Sequence, residues 1–184
     1  GYLHIGNART AVVNYVIARK FNAAYVLRIE DTDMERSSAE SERSILEDLS
    51  WLGIRWDEGP GAGGEYGPYR QSERFDIYRD YTRRLLENGS AYHCYCSPEE
   101  LEAMRREAQA AGRSFVYPGR CRNLSEAEKR RLESEGRSPT VRFHVPEGRS
   151  IEVDDLIKGR VLFGSENIGG DFIIVRSDGV PMYN

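Results

Sequence analysis

Two short segments, separated by a single helical stretch, constrain this chain more than anything else in it: His4-Ile5-Gly6-Asn7 and Leu27-Arg28-Ile29-Glu30-Asp31-Thr32-Asp33. Between them, Asn7 to Lys20 carries Ala8, Val12, Val13, Tyr15, Val16 and Ile17 at near-helical spacing, with no interior Gly or Pro. Apolar residues nearly all round predict a helix packed between layers. Ala24-Tyr25-Val26-Leu27-Arg28-Ile29 is rich in β-formers and reads as a buried parallel strand running into carboxylates. Helix then strand is half of a βαβ unit, with the preceding strand expected upstream of Gly1. In open α/β sheets, ligands bind outside the carboxyl ends of strands, where helix starts converge. A helix start offers unpaired N–H groups and a positive dipole end to phosphate. Gly6 has no Cβ to obstruct a flat or charged ligand, and His4 adds a hydrogen-bond donor. Together these residues describe a nucleotide site.

The rest of the chain divides by pattern. Ser37 or Ser38 can cap a helix that runs to Leu52, with Ile45, Leu49 and Leu52 on one side. Gly53 to Gly67 is glycine-rich and reads as a flexible loop long enough to suggest function. Ser72 is expected to start a helix that stops at Gly89, with Phe75, Tyr78, Leu85 and Leu86 inward. Beyond it, Tyr92-His93-Cys94-Tyr95-Cys96 alternates like a strand. Ser97-Pro98-Glu99-Glu100 and Ser125-x-x-Glu128 then open two short, charged helices. Strands are expected at Val141–Val145, Ile151–Val153, Arg160–Phe163 and Asp171–Val175. The fold class read from this order is α/β. A Rossmann-like parallel-sheet half spans 1–89, an inserted α+β subdomain spans 90–170, and the chain begins to return to the main sheet over 171–184.

At 184 residues, 39% hydrophobic and 30% charged, the chain is long enough for one domain with a small insert. A net charge of −4 argues against a generally sticky nucleic-acid binder but leaves room for a local basic patch. No apolar run approaches membrane-spanning length, so a soluble, cytoplasmic protein without a membrane partner is expected. Gly at position 1 and an end in an expected strand-to-helix turn lead us to expect a fragment, inactive by itself; a monomer is expected, with oligomeric state left open.

The two opening segments resemble the catalytic domain of class I aminoacyl-tRNA synthetases, and within that class the glutamyl-tRNA synthetases. His4-Ile5-Gly6-Asn7 is similar to the family's HIGH signature with Asn7 in the last position. Gly67-Pro68-Tyr69-Arg70-Gln71-Ser72 and Ser177-Asp178-Gly179-Val180-Pro181-Met182-Tyr183-Asn184 follow in the family's order, so the likeness spans the chain. The resemblance implies a ligase that activates L-glutamate with ATP and Mg²⁺ and passes it to the 3′ end of tRNA. It assigns His4 to the ATP phosphates, Gly6 to the adenine and ribose face, and Asn7 to the same catalytic motif. It gives Glu30 to the substrate α-amino group, Tyr183 to a substrate contact through its hydroxyl, and Asp33 to the terminal adenosine of tRNA. Arg28, two residues before Glu30 on the same strand face, reads as a structural ion-pair partner.

Cys94, Cys96 and Cys121 all fall in the insert, which is charged and poor in core residues between 97 and 137. Reduced thiols, or one disulfide with a thiol left over, are the bland readings. A metal staple answers the shortage of apolar surface, and zinc prefers four tetrahedral ligands. Some family members place a histidine two residues after the last cysteine, where this chain has Asn123. Resemblance to the glutamyl-queuosine tRNA(Asp) synthetases supplies Tyr117 instead, so the expected structural zinc ligands are Cys94, Cys96, Tyr117 and Cys121. Arg105, Arg106, Arg113, Arg120, Arg122, Lys129, Arg130 and Arg131 share the insert. They are either a solvated face paired with glutamates or, as the family implies, partly contacts to the acceptor end of tRNA. The glutamyl-queuosine enzyme and a non-catalytic zinc-stabilised tRNA-binding module are the competing readings.

Overall fold

The structure is a computed structural model that describes residues 2–32 and 38–183. It separates into two compact units, Gly1–Ile77 and Tyr78–Asn184. The first contains helix α1 (Ile5–Lys20), helix α2 (Ala39–Trp51) and a 3₁₀ turn (Gln71–Arg74) that leads into helix α3 (Phe75–Glu87), whose residues from Tyr78 onward belong to the second unit. The second contains strand β1 (Ala91–Cys94), helices α4 (Pro98–Ala110) and α5 (Glu126–Ser134), and strands β2 (Thr140–Phe143), β3 (Ser150–Asp155), β4 (Gly159–Gly164) and β5 (Phe172–Val175).

In the first unit, Ala18, Tyr25, Leu49 and Ile54 form the buried core, with Leu3, Ala11, Tyr15, Leu27, Ile45 and Trp56 packed against it. The inward face of α1 is therefore Ala11, Tyr15 and Ala18, one stripe at helical spacing. Val12, Val13, Val16 and Ile17 lie exposed on its other side, where the sequence predicts a helix enclosed between layers. Tyr15 meets Tyr25 edge to face at 5.6 Å. Arg19 lies over the Tyr15 ring and grips both oxygens of Asp57 at 2.8 and 3.1 Å, while Asp57 also accepts the Tyr25 N–H.

The expected strand at Ala24–Ile29 takes a less regular form. Its odd residues bond along one edge: Asp57 N–H donates to Tyr25 O, Leu27 N–H to Glu58 O, and Ile29 N–H to Tyr69 O. The resulting parallel pairings are isolated bridges, Val26 with Glu58 and Ile29 with Arg70. Two different loop segments serve the one edge in turn, so no continuous ladder forms. Nor is the segment buried on both faces, since Tyr25 and Leu27 face the core and Val26 is exposed.

Gly53 to Gly67 is held rather than loose. The Glu58 carboxylate accepts from Tyr66 N–H at 2.8 Å and from the Tyr69 hydroxyl, and Trp56 donates from Nε1 to Pro60 O. Gly64 is required there, because a Cβ would fall inside the Glu58 side chain. Ser38 caps α2 through a reciprocal pair with Ser41; Ser37 lies outside the described residues. The helix expected from Ser72 begins three residues later, since Gln71–Arg74 winds as a 3₁₀ turn first, and it stops at Gly89 with positive φ as expected.

The second unit is antiparallel. β2 sits between β1 and β5, and β3 pairs with β4 as a separate hairpin. The helices start as the capping signals predict, with Ser97 and Glu100 reciprocal at α4 and Ser125 and Glu128 at α5. All the expected strands after residue 140 form, but Phe172–Val175 pairs with β2 inside this unit, where the sequence predicts a start of return to the parallel sheet. Phe172 stacks on Phe143 at 5.4 Å, and the buried Asp171 just ahead of β5 ties it to the same sheet.

Candidate functional site

At the start of α1, His4 is the capping residue, with Gly6 N–H donating to its Nδ1 at 3.2 Å. An Nδ1 that accepts leaves the proton of a neutral imidazole on Nε2, so an N–H donor remains for a ligand. Gly6 has a structural reason beyond ligand approach: a Cβ there would meet His4 Cε1 at 3.1 Å and Nδ1 at 3.2 Å. The first turn carries no acidic residue, so its positive end is not cancelled from within the helix. Asn7 is exposed on that same turn.

Glu30 and Asp31 occupy the end of the Tyr25–Ile29 segment, and the turn at Gln71 and Ser72 treats them differently. Asp31 accepts from Ser72 N–H at 2.9 Å and from Ser72 Oγ at 2.6 Å, which commits its carboxylate to the turn. Glu30 keeps a half-exposed carboxylate, with Arg28 at 3.5 Å on one side, as an ion-pair reading of Arg28 predicts. Its other neighbour is the buried amide of Gln71, whose nitrogen, oriented toward Glu30, donates to both carboxylate oxygens. Leu3, beside His4, and Leu27, ahead of Glu30, pack on one core, so both motifs are anchored to the same cluster. Asp33 lies outside the described residues, and Tyr183, in the second unit, is exposed.

In the second unit the three cysteines converge. The Cys94, Cys96 and Cys121 sulfurs lie within 4.8 Å of one another, and Cys96 and Cys121 are 3.6 Å apart. The Tyr117 hydroxyl is 3.3 Å from both Cys94 Sγ and Cys96 Sγ, and Cys121 N–H donates to it. Tetrahedral zinc with bonds of about 2.3 Å to sulfur and about 2.0 Å to oxygen separates two sulfurs by about 3.8 Å and sulfur from oxygen by about 3.5 Å. The donor set fits. Hydrogen bonds with Cys121 and Cys96 pull the Cys94 thiol down, while those with Cys121 and Cys94 push Cys96 up and burial pushes the Tyr117 phenol up. One thiolate thus suppresses the next, a conflict that a cation would relieve. Asn123, the alternative fourth position, is exposed.

Behind this cluster lies a polar hub that the sequence reading did not identify. Asp171, 3% exposed, accepts from the Tyr92 hydroxyl at 2.5 Å, Val145 N–H at 2.9 Å and Arg122 at 3.0 and 3.3 Å. Burial works against its charge, but these donors outweigh it and hold the carboxyl below its usual range. Arg142, also buried, donates to Asp171 O and stacks 3.9 Å from the Tyr117 ring centre, with its Nε lacking a hydrogen-bond partner among the described residues. No local pattern signals such a hub, because its members come from distant parts of the chain. Of the basic residues in the insert, Arg122 is committed to Asp171, and Arg105, Arg120, Lys129 and Arg131 pair with glutamates. Arg106, Arg113 and Arg130 make no ion pair among the described residues. A cavity of about 500 Å³ is lined by Tyr92, His93, Tyr95, Lys129 and Arg130 among others.

Residues 1–184 match the family described as tRNA synthetases class I (E and Q), catalytic domain. Over its whole length the chain is 59% identical to glutamate–tRNA ligase 1 of Caldicellulosiruptor saccharolyticus and 56% identical to glutamate–tRNA ligase of Carboxydothermus hydrogenoformans. It spans 38% of the length of each. It is also similar to the crystal structure of a glutamate tRNA ligase from Elizabethkingia meningosepticum in complex with its amino acid, with a TM-score of 0.85 and 40% identity. A glutamate-tRNA synthetase from Elizabethkingia anophelis superposes with a TM-score of 0.87 at 40% identity, and both matches cover 100% of this chain and 38% of the other.

Proposed function

We propose, from the premise that this chain belongs to the class I tRNA synthetase (E and Q) catalytic-domain family, that it is part of a glutamate–tRNA ligase. In the reaction, a carboxylate oxygen of L-glutamate attacks the α-phosphorus of ATP, taken as its Mg²⁺ complex. The bond to the β-phosphate breaks, releasing pyrophosphate and leaving glutamyl-adenylate. A ribose hydroxyl at the 3′ end of tRNA then attacks the activated carbonyl and AMP departs. Such chemistry needs positioning and charge stabilisation more than an acid–base pair. Two named relatives, matched over the whole of this chain and 38% of their own length, support glutamate over the glutamyl-queuosine and non-catalytic readings.

In this reading, His4 donates from Nε2 to the ATP phosphates, Gly6 and Asn7 shape the nucleotide face, Glu30 receives the substrate ammonium and Tyr183 contacts substrate through its hydroxyl. Asp33 serves the terminal adenosine. The Rossmann-like catalytic half is assigned to 1–89 and the insert toward the acceptor end of tRNA to 90–170; of the return expected over 171–184, Phe172–Val175 stays with the sheet of the insert. Exposed Arg106, Arg113 and Arg130 are its candidate phosphate contacts. Cys94, Cys96, Tyr117 and Cys121 hold a structural zinc, whose role when bound is to cross-link a region with little core of its own. Among the described residues, no helix is long and apolar enough to cross a membrane; a cytoplasmic setting belongs to the ligase reading.

The observation that carries the catalytic reading is His4 capping α1 through Nδ1, beside Gly6, with Glu30 anchored on the same core. Its test is ATP–pyrophosphate exchange by the intact protein, with glutamate and with and without tRNA. His4→Ala is expected to lower kcat/KM at least a hundredfold, and Glu30→Ala to raise the KM for glutamate. Activity unchanged in both variants refutes the assignment.

A further inference from the structure

Gln71 is an unusual residue to bury, and what surrounds it gives it a purpose. It is 4% exposed, and a buried amide is retained only where its donors and acceptor are satisfied. Its backbone is fixed to the segment that carries Glu30: Gln71 N–H donates to Ile29 O at 2.9 Å, and Ile29 N–H donates to Tyr69 O at 2.9 Å. With its nitrogen toward Glu30, the side chain donates to Oε1 at 3.0 Å and to Oε2; the opposite orientation sets its carbonyl against the carboxylate.

We propose that Gln71 is a positioning residue for the amino-acid substrate, holding the Glu30 carboxylate so that it faces the substrate ammonium. This rests on the reading of Glu30 given above. The donor type is the central point. A cation at position 71 would pair with Glu30 and compete with the ammonium for its charge. A neutral amide fixes the side-chain rotamer without adding a second cation to Arg28, which already pairs with Glu30. The adjacent carboxylate shows the contrast, since Asp31 takes two short bonds from Ser72 and serves the turn alone. Arg28, the cation on the exposed side, stands off at 3.5 Å. The Gln71 amide on one side and Arg28 on the other orient Glu30, whose side chain is 41% exposed and so open to a ligand.

The test uses the intact protein in ATP–pyrophosphate exchange with tRNA present, comparing wild type, Gln71→Met and the isosteric Gln71→Glu. Gln71→Met removes the donor at similar length, and Gln71→Glu sets a like charge against Glu30. Both are expected to raise the KM for glutamate about tenfold or more, with the KM for ATP within about twofold of wild type. The deciding readout is inhibition by glutarate, which keeps both carboxylates of the substrate and lacks the ammonium. Its inhibition constant is expected to stay at the wild-type value, because the lost interaction serves only the ammonium. If Gln71→Met fails to fold, Gln71→Glu decides. An unchanged glutamate KM, or glutamate and glutarate weakened in parallel, overturns the proposal and leaves the ligase reading standing. Wild-type protein without glutamate-dependent exchange overturns both.

Discussion

Replacing Asp171 with Asn tests the polar hub with almost no change in volume. The carboxylate presents Oδ1 to Val145 N–H and Oδ2 to Tyr92 Oη and Arg122, so donors meet both oxygens. An amide has one oxygen and one donor group. Placed either way, its NH₂ faces a buried donor, at a cost of about 1–3 kcal/mol for the group left unsatisfied. Arg122 loses its charged partner as well, although Glu147 at 3.1 Å retains part of its hold. Breaking a buried pair costs about 3–5 kcal/mol, so Asp171→Asn should destabilise the protein by about 3–4 kcal/mol near neutral pH. The pH dependence has a definite sign. The folded-state pKa of Asp171 lies below its unfolded value, so at acidic pH the unfolded chain binds more protons. The contribution of the carboxylate is complete above the unfolded value of about 3.9 and is lost as pH falls through the folded one. Urea denaturation followed by circular dichroism, at neutral pH and at steps below about pH 4, measures both quantities. The difference between wild type and variant should shrink at the acidic end. A loss under about 1 kcal/mol at neutral pH, or a difference that does not converge in acid, would show that the hub does not stabilise the fold through its charge.

Three further predictions concern the proposed sites. Zinc analysis of gently purified protein should give about one equivalent, and less than about a third would count against the metal. Tyr117→Phe keeps the ring beneath Arg142 but removes the fourth donor, so zinc should be lost to a chelator about ten to a hundred times more readily. Gly6→Ala should raise the KM for ATP with little change in stability, because a Cβ at 3.1 Å displaces the His4 imidazole rather than the helix; an unchanged KM would detach the cap from nucleotide binding.

Much of the local structure was legible from residue order. Ser38, Ser97 and Ser125 cap helices where their spacing predicts, and Gly89 ends α3. Cys94, Cys96, Tyr117 and Cys121 meet as the resemblance implied. Less legible was what faces what. The apolar side chains of α1 predict enclosure, but periodicity reports where such residues lie and not whether another layer covers them; among the described residues, Ala11, Tyr15 and Ala18 of this helix face the core. Ala24–Ile29 has the composition of a buried strand, yet its ladder depends on loops at 57–58 and 69–71 that no strand propensity describes.

By itself, the sequence determined the caps, the turns, the helical and strand segments and the residue types at both sites. These follow from interactions within a few positions along the chain, where spacing alone decides which groups can meet. Only the tertiary structure decided that Gln71 stands behind Glu30, that Asp171 gathers Tyr92, Arg122 and Val145, and that Arg142 lies across Tyr117. Tyr92 and Asp171 are 79 residues apart. Burial makes every unpartnered polar atom costly, and it selects partners by proximity in space, which is not written in the order of the residues.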